Sequence, residues 1–365
     1  MNNCKLVLEN GVVFEGKSFG CKKEAVATIV YNTSVVGYQE IISDPTNCNQ
    51  ILCMTYPLIG NYGLTDEDYE SKKISIKGMI VREYNEEPSN FRYTTTLSEK
   101  MEENDIVGIC GVDTRCITRI IRKEGNIKGL ICDIDKPLEE CIEIIKNYQD
   151  EENLVEQVTS KNVWYSRTPN QICSIAVLDL GGKLNFIKRL NAIGCNVIIF
   201  PYNVTKEKIL KYKPDGLFIT SGPGNPKKLA DVIELVKSFI GEMPIFGVGL
   251  GCNILGLCYG AEVYKMKNGH HGANYPVRNL DTKKVEISNQ NHFYTFDKEK
   301  FNNNCLNNAK LKITHENVLT HEIEGVIDED NKVIGLEFDP VSPIDEDSEN
   351  IFLKFLQFIK QSGGK

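Results

Sequence analysis

The stretch Ile245-Phe246-Gly247-Val248-Gly249-Leu250-Gly251-Cys252-Asn253 constrains the fold more than any other part of this chain. An apolar strand runs into a Gly-x-Gly-x-Gly corner, and the pattern continues as a helix through Ile254, Leu255, Leu257 and Cys258. This is the layout of a nucleophile elbow, in which a catalytic Ser or Cys stands at the middle of G-x-[SC]-x-G. Here the middle residue is Gly249, which has no side chain. The expectation is the frame of an active site without the atom that does the chemistry.

The sequence around the elbow has a regular grammar. Ile175-Ala176-Val177-Leu178-Asp179-Leu180 reads as an apolar strand, followed by Gly181-Gly182 and a helix carrying Phe186, Leu190 and Ile193. Val197 to Phe200 is a second strand, Ile209-Leu210 marks a helix, and Gly216 to Ile219 is a third strand. The helix after Pro226 places Leu229, Val232, Ile233, Val236 and Phe239 or Ile240 on one face. Alternating helices and near-continuous apolar strands predict a doubly wound, mostly parallel sheet. Such sheets carry their sites at the carboxyl ends of strands, where the glycine-rich corners lie.

The first half reads differently. Leu6-Val7-Leu8 and Val12-Val13-Phe14 flank Glu9-Asn10-Gly11, a hairpin signal. A helical pattern over Cys116–Arg122 ends near Gly125, as a C-cap would. Residues 1–150 are therefore expected to form a β-rich α+β domain. A polar linker is expected over 151–172, through Ser166-Arg167-Thr168-Pro169-Asn170, and a second domain over 173–362.

Composition excludes several classes. A net charge of −8 argues against a nucleic-acid footprint. No apolar run reaches membrane-spanning length, and Met1-Asn2-Asn3-Cys4-Lys5 does not open a signal peptide. The 13 cysteines are scattered without a C-x-x-C pair, so they read as reduced thiols and not as a disulfide framework or zinc site. A cytoplasmic protein with no metal is expected.

Thr220-Ser221-Gly222-Pro223-Gly224-Asn225-Pro226 follows a strand and is expected to open a helix. It reads equally as an anion or oxyanion site and as a tight turn. Gly247 to Gly251 fits neither G-x-G-x-x-G nor a P-loop, so nucleotide binding there is disfavoured.

The two corners together resemble a class I glutamine amidotransferase domain. The first half resembles the small subunit of carbamoyl-phosphate synthetase, through Tyr31-Asn32-Thr33-Ser34-Val35-Val36-Gly37-Tyr38-Gln39-Glu40-Ile41 with Asp44-Pro45, and through Thr55-Tyr56-Pro57-Leu58-Ile59-Gly60-Asn61-Tyr62-Gly63. Ser89-Asn90-Phe91-Arg92 and Gly111-Val112-Asp113-Thr114-Arg115 continue the series. Lys265 to Gly272 and Asn289-Gln290-Asn291-His292 extend it through the second half. The resemblance implies a large-subunit partner, contacted by residues 1–150. It also implies a Cys–His–Glu triad that releases ammonia from glutamine, with ATP and magnesium held by the large subunit and no cofactor on this chain. Either arginine or pyrimidine synthesis could be served.

Against that resemblance, the chain departs at the triad. Gly249 stands at the nucleophile position, Asp339 at that of the His and Val341 at that of the Glu. Cys252 stands where the family usually has His, and Asn253 where it has a glutamine-binding Gln. Phe293 replaces a Gly beside the pocket. The remnant glutamine pocket comprises Thr46, Gly222, Gly224, Leu250, Asn253, Asn291, Phe293 and Tyr294. The five histidines are His270, His271, His292, His315 and His321, none in the last forty residues. His270 and His271 are read as a structural hydrogen-bonding pair, and His292 as structural. Cys252 is read as a small, partly buried thiol, since the helix would carry it out of the cleft. The expectation is a small subunit without glutaminase activity, serving an ammonia-dependent synthetase. Two alternatives stand beside it: a working glutaminase with a displaced Cys, and a stand-alone protein that binds an amide such as glutamine weakly. No nucleic-acid or membrane partner is expected.

Overall fold

The computed structural model describes residues 2–303, 311–340 and 346–363. The chain forms two compact units, Met1–Glu152 and Asn153–Lys365.

In the first unit, alternation along Asn3–Leu8 sends Leu6 and Leu8 into one core with Ala27, Ile29, Ile51 and Ile131. Val7 joins a second core with Leu130 and Cys132, against Cys141 and Ile145 of the helix Leu138–Asn147. Seven strands close on themselves, in the order Asn3–Leu8, Val13–Gly20, Val107–Cys110, Gly78–Ile80, Ile51–Met54, Ala25–Asn32 and Ile127–Asp133, the last pairing back with the first. The expected β-rich domain is thus a closed barrel. Its hairpin forms where Asn10-Gly11 predicts it, with Leu6 opposite Phe14 and Gly11 at φ 86°.

The helix Thr114–Glu124 starts where the Asp113 carboxylate accepts the Cys116 N–H at 2.9 Å. It stops at Gly125, whose φ of 100° suits a residue without a Cβ. Ile117 and Ile121 face the core, and Arg115, Arg119 and Arg122 face out.

The second unit is built on a ten-stranded sheet. Cys195–Pro201, Cys173–Asp179, Gly216–Ile219, Ile245–Val248 and Val333–Leu336 are parallel and adjacent. Along Cys173–Asp179 the side chains Cys173, Ile175 and Val177 meet Phe186, Leu190, Phe352 and Phe355 on one face. Ala176 and Leu178 meet Ile209, Val232, Val236 and Ile254 on the other. Helices on both faces make this part doubly wound. Burying each such aliphatic side chain contributes roughly 1.5–3 kcal/mol, so the sandwich fixes the strand ends firmly.

The sheet is less parallel than expected. Ile323–Asp328, Lys312–Asn317, Val263–Asn279 and Val285–Phe296 extend it antiparallel beyond Val333–Leu336. The linker expected over 151–172 is also corrected. The helix Leu154–Val158 and the edge strand Trp164–Ser166 lie there, and the strand pairs antiparallel with Cys195–Pro201. Ser160 N–H and Asp179 Oδ2 are 2.8 Å apart, and Trp164 Nε1 donates to Ser160 Oγ at 3.0 Å, so backbone pairing and side chains tie this stretch to the sheet. No helix among the described residues is long and apolar enough to cross a membrane.

Candidate functional site at the strand-end corner

Strand Ile245–Val248 ends at Gly249, with φ 54° and ψ −114°, and the helix Leu250–Cys258 begins at once. A residue with a side chain is strained in that region, and such strain is found where a catalytic atom is being aimed. Gly249 N–H donates to the Leu336 carbonyl at 2.7 Å, and Gly249 O accepts the Asn253 N–H at 3.0 Å. A Cβ at 249 would lie 3.3 Å from Ser221 Cβ, so the position points at the neighbouring corner and has room for little more.

The other glycines serve packing. A Cβ on Gly247 would come within 2.6 Å of the Gly251 carbonyl oxygen, one on Gly251 within 2.5 Å of that of Ile219, and one on Gly222 within 2.1 Å of that of Leu180. Backbone cannot yield at such distances. The frame is therefore held by steric necessity.

At the second corner, Thr220 Oγ1 accepts the Leu180 N–H at 2.9 Å and donates to the Ser221 carbonyl at 2.8 Å. Ser221 Oγ is buried without a hydrogen-bond partner among the described residues. Gly224 takes φ 96°, and the Asn225 side chain accepts the Lys227 N–H at 3.0 Å. The corner opens a 3-10 turn, Pro226–Lys228, and the α-helix begins only at Ala230. Turn formation is thus visible here, and the first turn of an α-helix is not.

Under the elbow lies a buried polar cluster that the sequence reading missed. Cys252 is wholly buried, not partly so, and sits against the carboxylate of Glu337, which is 3% exposed. Asn253 Nδ2 donates to both Glu337 oxygens, at 2.7 and 2.8 Å. Burial, and then the Glu337 charge, push the Cys252 thiol well above its ordinary pKa, so it stays protonated. Burial, and then the charge of Glu324, raise the Glu337 carboxyl in the same way.

Glu324 is fully buried, with Oε1 3.3 Å from His270 Nδ1 and Oε2 3.8 Å from His292 Nε2. His292 Nδ1 donates to the Tyr294 carbonyl at 3.0 Å, and burial lowers its pKa to about 4, leaving the ring neutral. His270, His292 and Glu324 bring ligand atoms within 4.8 Å of one another, a spacing that a metal ion could bridge. His270 and His271 do not pair with each other. His270 stacks on Tyr275, whereas His271 Nδ1 lies 2.7 Å from Asn291 Oδ1 and its ring meets Phe293 edge-on.

The remaining expected positions divide. Leu250 opens the elbow helix and packs at Gly222. Asn291, Phe293 and Tyr294 lie together on strand Val285–Phe296. Thr46 belongs to the first unit, where its N–H donates to Asp44 Oδ1 at 2.9 Å. Asp339 is engaged by Lys183, with Nζ 2.8 Å from Oδ2 in a nearly buried ion pair, so its carboxylate serves that charge. Val341 lies outside the described residues.

An elbow at a parallel strand end, faced by a second glycine corner, defines a class I glutamine amidotransferase unit, and residues 176–358 match the family described as Glutamine amidotransferase class-I. Residues 6–131 match the carbamoyl-phosphate synthase small chain, CPSase domain. A carbamoyl phosphate synthase small chain of Fusobacterium nucleatum is 40% identical over 360 residues, covering 98% of this chain and 99% of its own. The pyrimidine-specific small chain of Bacillus subtilis is 39% identical, covering 98% and 96%. A solved glutamine amidotransferase of Thermotoga maritima aligns at 15% identity with a TM-score of 0.36, covering 53% of this chain and 90% of its own. The chain belongs to the carbamoyl phosphate synthase small chain family.

Proposed function

We propose that this chain is the small subunit of a cytoplasmic carbamoyl phosphate synthase and has given up glutamine hydrolysis, so that its large chain works on free ammonia. The observation that carries the reading is Gly249 at the elbow, in the strained conformation that aims a nucleophile, with no side chain to aim. Amide cleavage by the covalent route needs a thiolate or alkoxide at that point and a base to activate it. Asp339, at the position of the family's His, is held by Lys183. Losing one member of such a triad costs about four to six orders of magnitude in rate, and losing the nucleophile removes the covalent step. ATP and magnesium would belong to the large chain.

The displaced-cysteine alternative meets two obstacles. Cys252 is wholly buried, and its thiol is held protonated beside a carboxylate. A thiol without a thiolate is a poor nucleophile. The test is reconstitution with the cognate large chain, ATP and bicarbonate. Carbamoyl phosphate is expected from ammonium and not from glutamine. Glutamine-supported synthesis would overturn the proposal, and alkylation mapping would then identify the thiol responsible.

A further inference from the structure

The first unit contains a cavity of about 720 Å³ lined by Arg82, Arg115, Arg119 and Arg122, with Thr33, Thr55, Tyr56 and Thr118 among its other walls. Arg115, Arg119 and Arg122 follow the spacing i, i+4, i+7 on the helix Thr114–Glu124, so three guanidinium groups share one exposed face. Like charges four apart on a helix destabilise it. Arg82, Arg115 and Arg119 make no ion pair among the described residues. Lysines of the same unit do: Lys23 with Asp105, Lys100 with Glu103, and Lys136 with Glu24 and Glu140. Asp113, the acidic group in the cavity wall, is committed to the helix N-cap. A chain with net charge −8 thus gathers four arginines against one carboxylate in a single concavity, three of them in no ion pair among the described residues.

We infer that this cavity receives an acidic segment of the large chain. The inference rests on the proposed pairing with such a chain. Three features favour a protein segment over a single small anion. The arginine stripe runs about 10 Å along the helix, longer than one phosphate or carboxylate. Asp113 already occupies the helix N-terminus, so no amide cradle is offered there to a phosphate. The loop that supplies Thr33 continues into Val35 and Val36, which are 59% and 72% exposed, giving the charged cavity an apolar shoulder. Arginine and tyrosine beside exposed aliphatics match the anatomy of protein interfaces. Bidentate guanidinium–carboxylate pairs would supply register and orientation.

The double variant R115E/R119E, measured against the cognate large chain at 50 and 200 mM salt, tests this. Pairing is expected to weaken about 100-fold, with R115A/R119A intermediate and R115K/R119K partly retained. The wild type should lose affinity with salt more steeply than the alanine variant. Thermal unfolding of each variant close to that of the wild type separates lost docking from lost fold, because both side chains are exposed. Inorganic tripolyphosphate, titrated into the wild-type complex, should displace the large chain. Equal pairing by wild type and R115E/R119E overturns the docking site while leaving the proposed function intact. Tight tripolyphosphate binding to the free chain with pairing unchanged in the variants overturns it in favour of a small-anion site. A wild type that does not pair at all removes both the docking site and the pairing on which it rests.

Discussion

Position 249 accepts glycine for a conformational reason that a single substitution exposes. At φ 54° and ψ −114°, alanine would add strain of about 1–3 kcal/mol, and its Cβ would press on Ser221 Cβ at 3.3 Å. G249A should therefore lower the urea midpoint without altering the fold. G249C should show the same loss and place a thiol at the corner, yet leave glutamine uncleaved, since Asp339 stays bound to Lys183. Glutaminase activity in G249C would mean that the rest of the machinery had survived. Glu337 gives a second test through pH. Its folded pKa is raised well above 4.5, so its stabilising proton is present in acid and lost as pH rises through the folded value. His292 works in the opposite sense, since its pKa falls from 6.5 to about 4 and stability is lost as pH drops through that window. The two effects oppose each other there. E337Q removes the Glu337 limb, so its stability should climb more steeply between pH 4 and 6.5 and exceed that of the wild type near neutrality. Unfolding curves across pH check this, and an unchanged profile would show that the carboxyl is not holding its proton.

Elements with one dominant signal were legible, and Thr114–Glu124 shows why. The stop at Gly125 and the inward Ile117 and Ile121 stand in the sequence as glycine and spacing, and the start lies two residues before the expected Cys116 because Asp113 caps the helix. D113A should cost about 1 kcal/mol and raise hydrogen exchange at the Cys116 amide, because that N–H loses its acceptor. The parallel strands were legible for a related reason, being apolar on both faces. The antiparallel extension was not. Val263–Asn279 carries lysines, asparagine and two histidines, and its pairing shifts register between Lys265 and His270 and again between Gly272 and Tyr275. A period of two cannot survive such shifts. At the site, the glycine frame was readable because close backbone approach leaves only one residue type. Glu324 and Glu337 were not, since a lone carboxylate in a strand or just past its end reads as surface. The signal that could have found them is position: each stands inside an apolar run, Ile323-Glu324-Gly325-Val326 and Leu336-Glu337-Phe338. Lys183 and Asp339 are 156 residues apart, a pairing that only the tertiary fold creates.

The division into units has consequences for cutting the chain. A closed barrel exposes no unpaired strand edge, and the first unit has its own core around Leu6, Ile29 and Ile131. Residues 1–152 expressed alone should therefore unfold cooperatively and remain monomeric. The place of the cut then decides the fate of the second unit. Starting at residue 153 keeps Trp164–Ser166 on the edge of the sheet and keeps the Ser160 hydroxyl bonded to Asp179 at 2.5 Å. Starting at 173, as composition alone would suggest, removes both. It bares the edge of Cys195–Pro201, a strand with Val197, Ile198, Ile199 and Phe200 in sequence and a template for pairing between molecules. It also leaves Asp179 without its Ser160 contacts at a strand end that supports the corner region. The 173–365 fragment should aggregate or unfold at distinctly lower urea than 153–365, as light scattering and denaturation of the two would show. Equal solubility and stability would mean that residues 153–172 are a linker after all, and that the edge strand contributes nothing to holding the sheet that carries the elbow.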